Sequence, residues 1–219
     1  MRTIRALIAL FALVALSACD PSILDQGGAG ASPGPIGSGP AGQGAGAAGQ
    51  QLAGLTVSNG LSMSGYSREK FPHWISQGHG CDTRDVVLEH QGSGVRVTSS
   101  CEITAGDWTS PYDGKSYTDP QKLQIDHVVP LANAWKSGAK NWTTQRREEF
   151  ANDLTRPQLL AVTSSLNESK GDQDPSQWRP PSRSFWCGYA EDWIAVKHYW
   201  QLTITNAEKS ALSDLLGSC

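Results

Sequence analysis

Two adjacent residues, Asp126 and His127, close the short apolar run Leu123-Gln124-Ile125 and precede Val128-Val129-Pro130. A second apolar run, Leu159-Leu160-Ala161-Val162-Thr163, leads into a polar segment that carries Asn167 and Lys170 and ends at Gly171-Asp172. A neutral imidazole can take a proton from water near neutral pH. Carboxylate and amide oxygens suit a hard cation such as Mg2+ or Mn2+ better than Zn2+. A base that activates water, together with a cation that stabilises charge on phosphate and leaving oxygen, is what phosphodiester hydrolysis requires. Strand alternation sends Asp126 and His127 to opposite faces, so a bulge or turn is expected if both serve one site.

The elements that must position these residues can be read from local pattern. Leu123–Val128 reads as a strand stopped by Pro130, Leu159–Thr163 as a second strand, and Ser164–Gly171 as a helical turn ended by glycine. Upstream, Asp82 caps a short helix reaching Leu88, and Val95-Arg96-Val97-Thr98 alternates as a strand. Residues 106–120 are turn-rich, with Asp113-Gly114 a tight turn. Thr143–Leu154 is expected to be helical, and Asp174-Pro175-Ser176-Gln177 has the form of a helix start. Tyr189, Trp193, Val196 and Trp200 form one helical stripe, and Thr205-Asn206-Ala207-Glu208 is a capping box for a last helix carrying Ala211, Leu212, Leu215 and Leu216. The expected class is α+β, mostly helical, with no internal repeat.

Ile125-Asp126-His127-Val128-Val129-Pro130-Leu131, followed by Leu159–Asp172, resembles the ββα-metal core of HNH endonucleases, and more closely an exported bacterial lipoprotein branch of them. The likeness extends to Cys81-Asp82-Thr83-Arg84, Ala134–Ala139, Phe150–Leu154 and Asp174–Trp178, covering roughly residues 66–219. It implies that His127 is the general base and that Asp126 and Asn167 hold one divalent metal, Mg2+ or Mn2+. The middle asparagine of that pattern is replaced by Gln158, while Asn152 lies six residues upstream; either could brace the His127 loop. Lys170 and Arg84 are candidate phosphate contacts, each with a structural alternative: a solvated lysine and an ion pair. Asp153 and Asp172 read as turn and cap residues, and His73, His79, His90 and His198 as surface or packing residues.

Net charge is −3, which excludes a protein that holds nucleic acid by bulk positive charge. Residues 127–183 carry eight Lys or Arg against six acids, and residues 51–126 six against nine, so a nucleic-acid footprint is expected on the motif half. Arg2 and Arg5 precede the apolar run Ala6–Leu16, too short to span a bilayer, which takes about 20 residues. Leu16-Ser17-Ala18-Cys19 resembles a lipobox, with Cys19 the lipidation site. Ten of the 23 glycines fall between Gly27 and Gly49, a composition that forms a tether and not a core. The expected organisation is a signal over 1–19, a disordered tether over 20–51 and a nuclease domain over 52–219. Cys81, Cys101, Cys187 and Cys219 remain, an even number suited to two disulfides in an exported protein. Of three pairings, Cys81–Cys101 and Cys187–Cys219 close local loops and are expected; no Cys-x-x-Cys pair favours zinc.

The expected function is a metal-dependent endonuclease acting outside the cytoplasm on DNA, with RNA left open, and anchored to the cell membrane through its lipid. The rivals are a non-catalytic surface module that binds a polyanion or protein on the same fold, and a hydrolase of another phosphodiester. Nothing in the sequence points to a protein partner.

Overall fold

The computed structural model describes residues 43–219. The signal, the lipobox with Cys19 and the tether up to residue 42 lie outside the described residues. The helices are α1 Gln43–Gly54, α2 Thr83–Gln91, α3 Leu131–Lys136, α4 Thr144–Ala151, α5 Ser164–Lys170, α6 Trp186–Trp200 and α7 Asn206–Leu216. The strands are β1 Ser76–Gly78, β2 Cys81–Asp82, β3 Ser93–Val97, β4 Ile103–Thr109, β5 Ser116–Tyr117, β6 Leu123–His127 and β7 Leu159–Thr163. They pair antiparallel in three small sheets: β1-β2, β3-β4-β5 and β6-β7. The fold is α+β.

The β6–β7 ladder separates two apolar clusters, and its period of two assigns residues to each. Leu123 and Ile125 of β6 and Leu159 and Ala161 of β7 face a cluster with Val87, Leu88, Ile103 and Trp108. Val162 faces the larger cluster, built from Tyr112, Val128, Val129, Trp135, Phe150, Tyr189, Trp193, Leu212 and their neighbours. The aromatic stripe of α6 is buried there as its spacing predicts. The capping boxes at Asp82/Asp85 and Thr205/Glu208 are both present, each satisfying two orphan amides of a helix start. Glu208 also accepts from Trp193 Nε1 and pairs with buried Lys197, so one side chain caps α7 and ties it to α6. Cys81–Cys101 and Cys187–Cys219 are the bonded pairs.

Four expectations change. Residues 43–51, read as tether, lie in α1: Ala48, Leu52 and Leu55 recur at helical spacing and bury their stripe in the large cluster. Strand β4 takes residues 106–109 out of the turn-rich segment, because Trp108 anchors the second cluster; the turn at Asp113-Gly114 remains, with Gly114 at φ +70°. Helix α4 ends at Ala151, where the Asn152 backbone N–H and its side-chain Nδ2 share the Glu148 carbonyl. Asp174–Gln177 makes a single turn and no helix. Arg179-Pro180-Pro181 follows at once, and proline can supply no donor to a second turn.

Candidate active site

Strand β6 pairs with β7 in unbroken register from Leu123↔Thr163 to His127↔Leu159, and β7 runs directly into α5. The bulge expected between Asp126 and His127 is therefore absent, and their side chains do leave on opposite faces. Both still border one cleft, at the end of the strand that His127 closes. A cleft of ≈ 230 Å³ wraps that end, lined by Tyr66, Arg68, Asp126, His127, Asn167 and Asp172 among others.

Asp126 points toward the larger cluster and is buried. Lys170 Nζ lies 2.8 Å from its Oδ2 and 3.0 Å from its Oδ1, and also donates to the His127 carbonyl at 2.9 Å. The Tyr112 hydroxyl donates to Oδ2 in a short hydrogen bond. Burial pushes the Asp126 carboxyl above its ordinary value, against the lowering pull of Lys170 and Tyr112. The same burial lowers Lys170 and raises Tyr112 well above the usual phenol. Lys170 is thus neither solvated nor open to phosphate. It is 0 % exposed, and it compensates the aspartate. Gly171 at φ +53° ends α5 immediately after it.

His127 points the other way. Its Nε2 donates to the Ala151 carbonyl at 2.9 Å, at the end of α4, which fixes the tautomer and leaves Nδ1 without a partner among the described residues. The ring stacks on Trp74, centroids 5.6 Å apart and planes 28° from parallel. Burial pushes the imidazole down to about 3, so it stays neutral through the physiological range. Trp74 sits at φ +58°, a left-handed backbone that a bulky residue adopts only when its surroundings impose it. Asn152 imposes it: its Oδ1 accepts from Ile75 N at 3.2 Å and Thr83 Oγ1 at 2.7 Å, and its Nδ2 donates to Pro72 O at 2.9 Å.

The question of the brace resolves in favour of Gln158. Its Oε1 accepts from Val129 N at 3.1 Å, its Nε2 donates to Val129 O at 2.9 Å, and its own carbonyl accepts from Val128 N at 2.8 Å. The chain leaving His127 is clamped through both the N–H and the carbonyl of one residue, Val129, to the residue that precedes β7. Asn152 instead holds the segment bearing Trp74. Arg84 is not among the residues lining the cleft; it donates to the carbonyls of Pro120 and Leu123 at the start of β6, and makes no ion pair among the described residues. Asp153 accepts from Thr155, Arg156 and Trp200, a turn role as read. His79, His90 and His198 are exposed.

Asn167 lies across the cleft on α5, its Nδ2 donating to Gln124 Oε1 at 2.8 Å. That bond orients the amide and leaves Oδ1 free of partners among the described residues. One unshared amide oxygen and one carboxylate oxygen, Asp126 Oδ1 with a remaining lone pair, form a hard donor set. It fits a hydrated Mg2+ or Mn2+, which takes few protein ligands and keeps its waters. Tyr112, Trp74, Arg68 and His73 complete the surroundings and were missed, since each lies far along the chain from the motif and belongs to no spaced pattern with it.

A model of the family described as "GmrSD restriction endonucleases, C-terminal domain" matches residues 83–215. The chain belongs to this family. The matched span of this GmrSD C-terminal-domain protein contains β6, β7 and α5, with every motif residue of the cleft; Tyr66, Arg68, His73 and Trp74 stand outside it. An "Uncharacterized secreted protein" of the fungus Arthroderma benhamiae is 51% identical over 189 residues, covering 86% of this chain and 93% of that one. Secretion of the relative agrees with the export signal read at the N-terminus, but a fungal relative gives no support to a bacterial lipoprotein branch. No solved structure matches the chain. Among the described residues no helix is long and apolar enough to cross a membrane.

Proposed function

We propose that this protein is an exported, metal-dependent endonuclease of HNH type that hydrolyses phosphodiester bonds in DNA, and in RNA where the cleft admits it. The observation that carries the reading is the His127 ring: neutral, locked through Nε2 by Ala151, with no partner for Nδ1 among the described residues, in a cleft that Asp126 and Asn167 also line. A non-catalytic binding module has no use for that combination.

In this reading His127 Nδ1 takes the proton of an attacking water, and the Ala151 carbonyl holds the imidazolium that forms. Asp126 and Asn167 would hold one Mg2+ or Mn2+, which when bound stabilises charge on the phosphate and on the leaving oxygen. Lys170 and Tyr112 keep the Asp126 carboxylate in one orientation, and Gln158 keeps the strand end from swinging. Acylation of Cys19 is a finer part of the proposal; metabolic labelling with a fatty acid would reveal it, and its loss in Cys19→Ala would locate it.

The test is plasmid cleavage by the purified protein with Mg2+ or Mn2+, with and without EDTA. Cleavage is expected with metal and none with EDTA. His127→Ala should lose about 10²–10⁴-fold in rate with metal affinity little changed. Asn167→Ala should recover part of its loss at high Mg2+, since a missing ligand is a binding defect. Full activity of folded His127→Ala refutes the assignment.

A further inference from the structure

Resting on the nuclease reading, we infer that Arg68 is the residue that grips the substrate phosphate, and that His73 holds its guanidinium in readiness. Neither side chain belongs to the motif region. Both sit on the segment 66–74, from which Tyr66 and Arg68 line the cleft.

Arg68 is the one Lys or Arg among the residues lining the cleft; the other charged lining groups are Asp126, already compensated by Lys170, and Asp172. The lysine expected to meet phosphate is buried under the aspartate, and Arg84 is spent on backbone carbonyls of β6. A polyanion entering the cleft therefore meets one exposed cation among the residues that line it. Arg68 is exposed, and its charge is close enough to bear on both Asp126 and His127.

Its side chain has one partner among the described residues, a 3.3 Å bond from Nε to His73 Nε2. The His73 ring is itself oriented, its Nδ1 donating to Phe71 O at 2.8 Å, so Nε2 is the acceptor. The same ring lies edge-on to His127 with centroids 6.3 Å apart, which places the guanidinium one imidazole away from the base. Charge-assisted bonds from the guanidinium fork to two phosphate oxygens are roughly twice as strong as neutral ones. The four N–H groups of Nη1 and Nη2 remain free to make them, while Nε stays on His73. His73 acts as a positioning residue, Arg68 as the phosphate contact.

The experiment compares wild type, Arg68→Gln, Arg68→Lys and His73→Gln, each checked for an unchanged melting temperature. Initial rates are measured on a duplex of defined length with Mg2+, and affinity for a fluorescein-labelled copy of the same duplex by anisotropy in EDTA. A single guanidinium adds little to the binding of a long polyanion but much to stabilising charge that develops at one phosphate. Arg68→Gln should therefore lose about 10²-fold in kcat, with duplex affinity changed less than about threefold. Arg68→Lys should recover only part, because an ammonium has no fork. His73→Gln, which still offers an acceptor oxygen, should fall less than about tenfold. Wild-type cleavage with Arg68→Gln within threefold of it in kcat overturns the inference and leaves the nuclease reading standing. A wild type that cleaves neither DNA nor RNA with any metal overturns that reading, and the inference with it.

Discussion

Replacing Gln158 by leucine removes two hydrogen bonds and leaves their partners nowhere to turn. Gln158 and Val129 are both 0 % exposed, so water reaches neither the Val129 N–H nor its carbonyl. Orphaning a buried donor or acceptor costs about 1–3 kcal/mol each, and the carbonyl tolerates it better. The expected loss is about 2–4 kcal/mol, read as a lower midpoint in urea with an unchanged slope. Asparagine, which the HNH resemblance leads one to expect here, is one methylene shorter. It stretches bonds of 2.9 and 3.1 Å by about 1.5 Å unless the strand end moves to meet it. Movement there carries His127 with it, and a misplacement of about 1 Å can cost ~10²-fold in rate. Gln158→Asn should therefore lose more activity than stability, and Gln158→Leu both. The assays are urea denaturation followed by tryptophan fluorescence and plasmid cleavage with Mg2+. A Gln158→Leu protein within 1 kcal/mol of wild type, cleaving at the wild-type rate, would show that the clamp does not position the base.

Lys170→Met strands the Asp126 carboxylate in a buried site with only Tyr112 as donor, and should destabilise by about 3–5 kcal/mol; Lys170→Met with Asp126→Asn should recover much of it, and no recovery refutes the pairing. Asp192 is pushed up to about 7, chiefly by burial and then by Glu191, so the folded state holds a proton that the unfolded chain releases near 3.8. Stability is therefore lost as pH rises from about 4 to 7. Because water reaches part of this residue, Asp192→Asn should gain only about 1–2 kcal/mol at pH 8 and almost nothing at pH 4. Equal gains at both pH values, by thermal melting, contradict this. Mass mapping without reduction should join Cys81 to Cys101 and Cys187 to Cys219, and Cys187→Ser with Cys219→Ser should lose about 3–4 kcal/mol for a loop of this length.

What the sequence determined by itself was local. Capping at Asp82 and Thr205, the stripe of α6, the two strands around Asp126 and Leu159, and the turn at Asp113-Gly114 depend on spacings of one to four residues, and each is present. Both disulfides fell to the same kind of argument, since each closes a loop inside one segment. The choice of His127, Asp126 and Asn167 as a set also came from pattern, and the cleft brings the three together.

Only the tertiary structure decided which side chains support them. Lys170 sits in a polar stretch and reads as a phosphate contact or a solvated lysine; its burial depends on a carboxylate 44 residues away that no local rule pairs with it. Asn152 and Gln158 are equally plausible braces on paper, yet one clamps Val129 while the other reaches Pro72, 80 residues distant, to hold Trp74 in a left-handed turn. Residues 43–51 look like tether until Ala48 and Leu52 find the larger cluster, and Asp174 looks like a helix start until the prolines after Arg179 end it. Caps and periodicity are properties of neighbours along the chain. Burial of a charge, the tautomer of a histidine and the strain at a tryptophan are set by what packs against them, and that is known only when the segments meet.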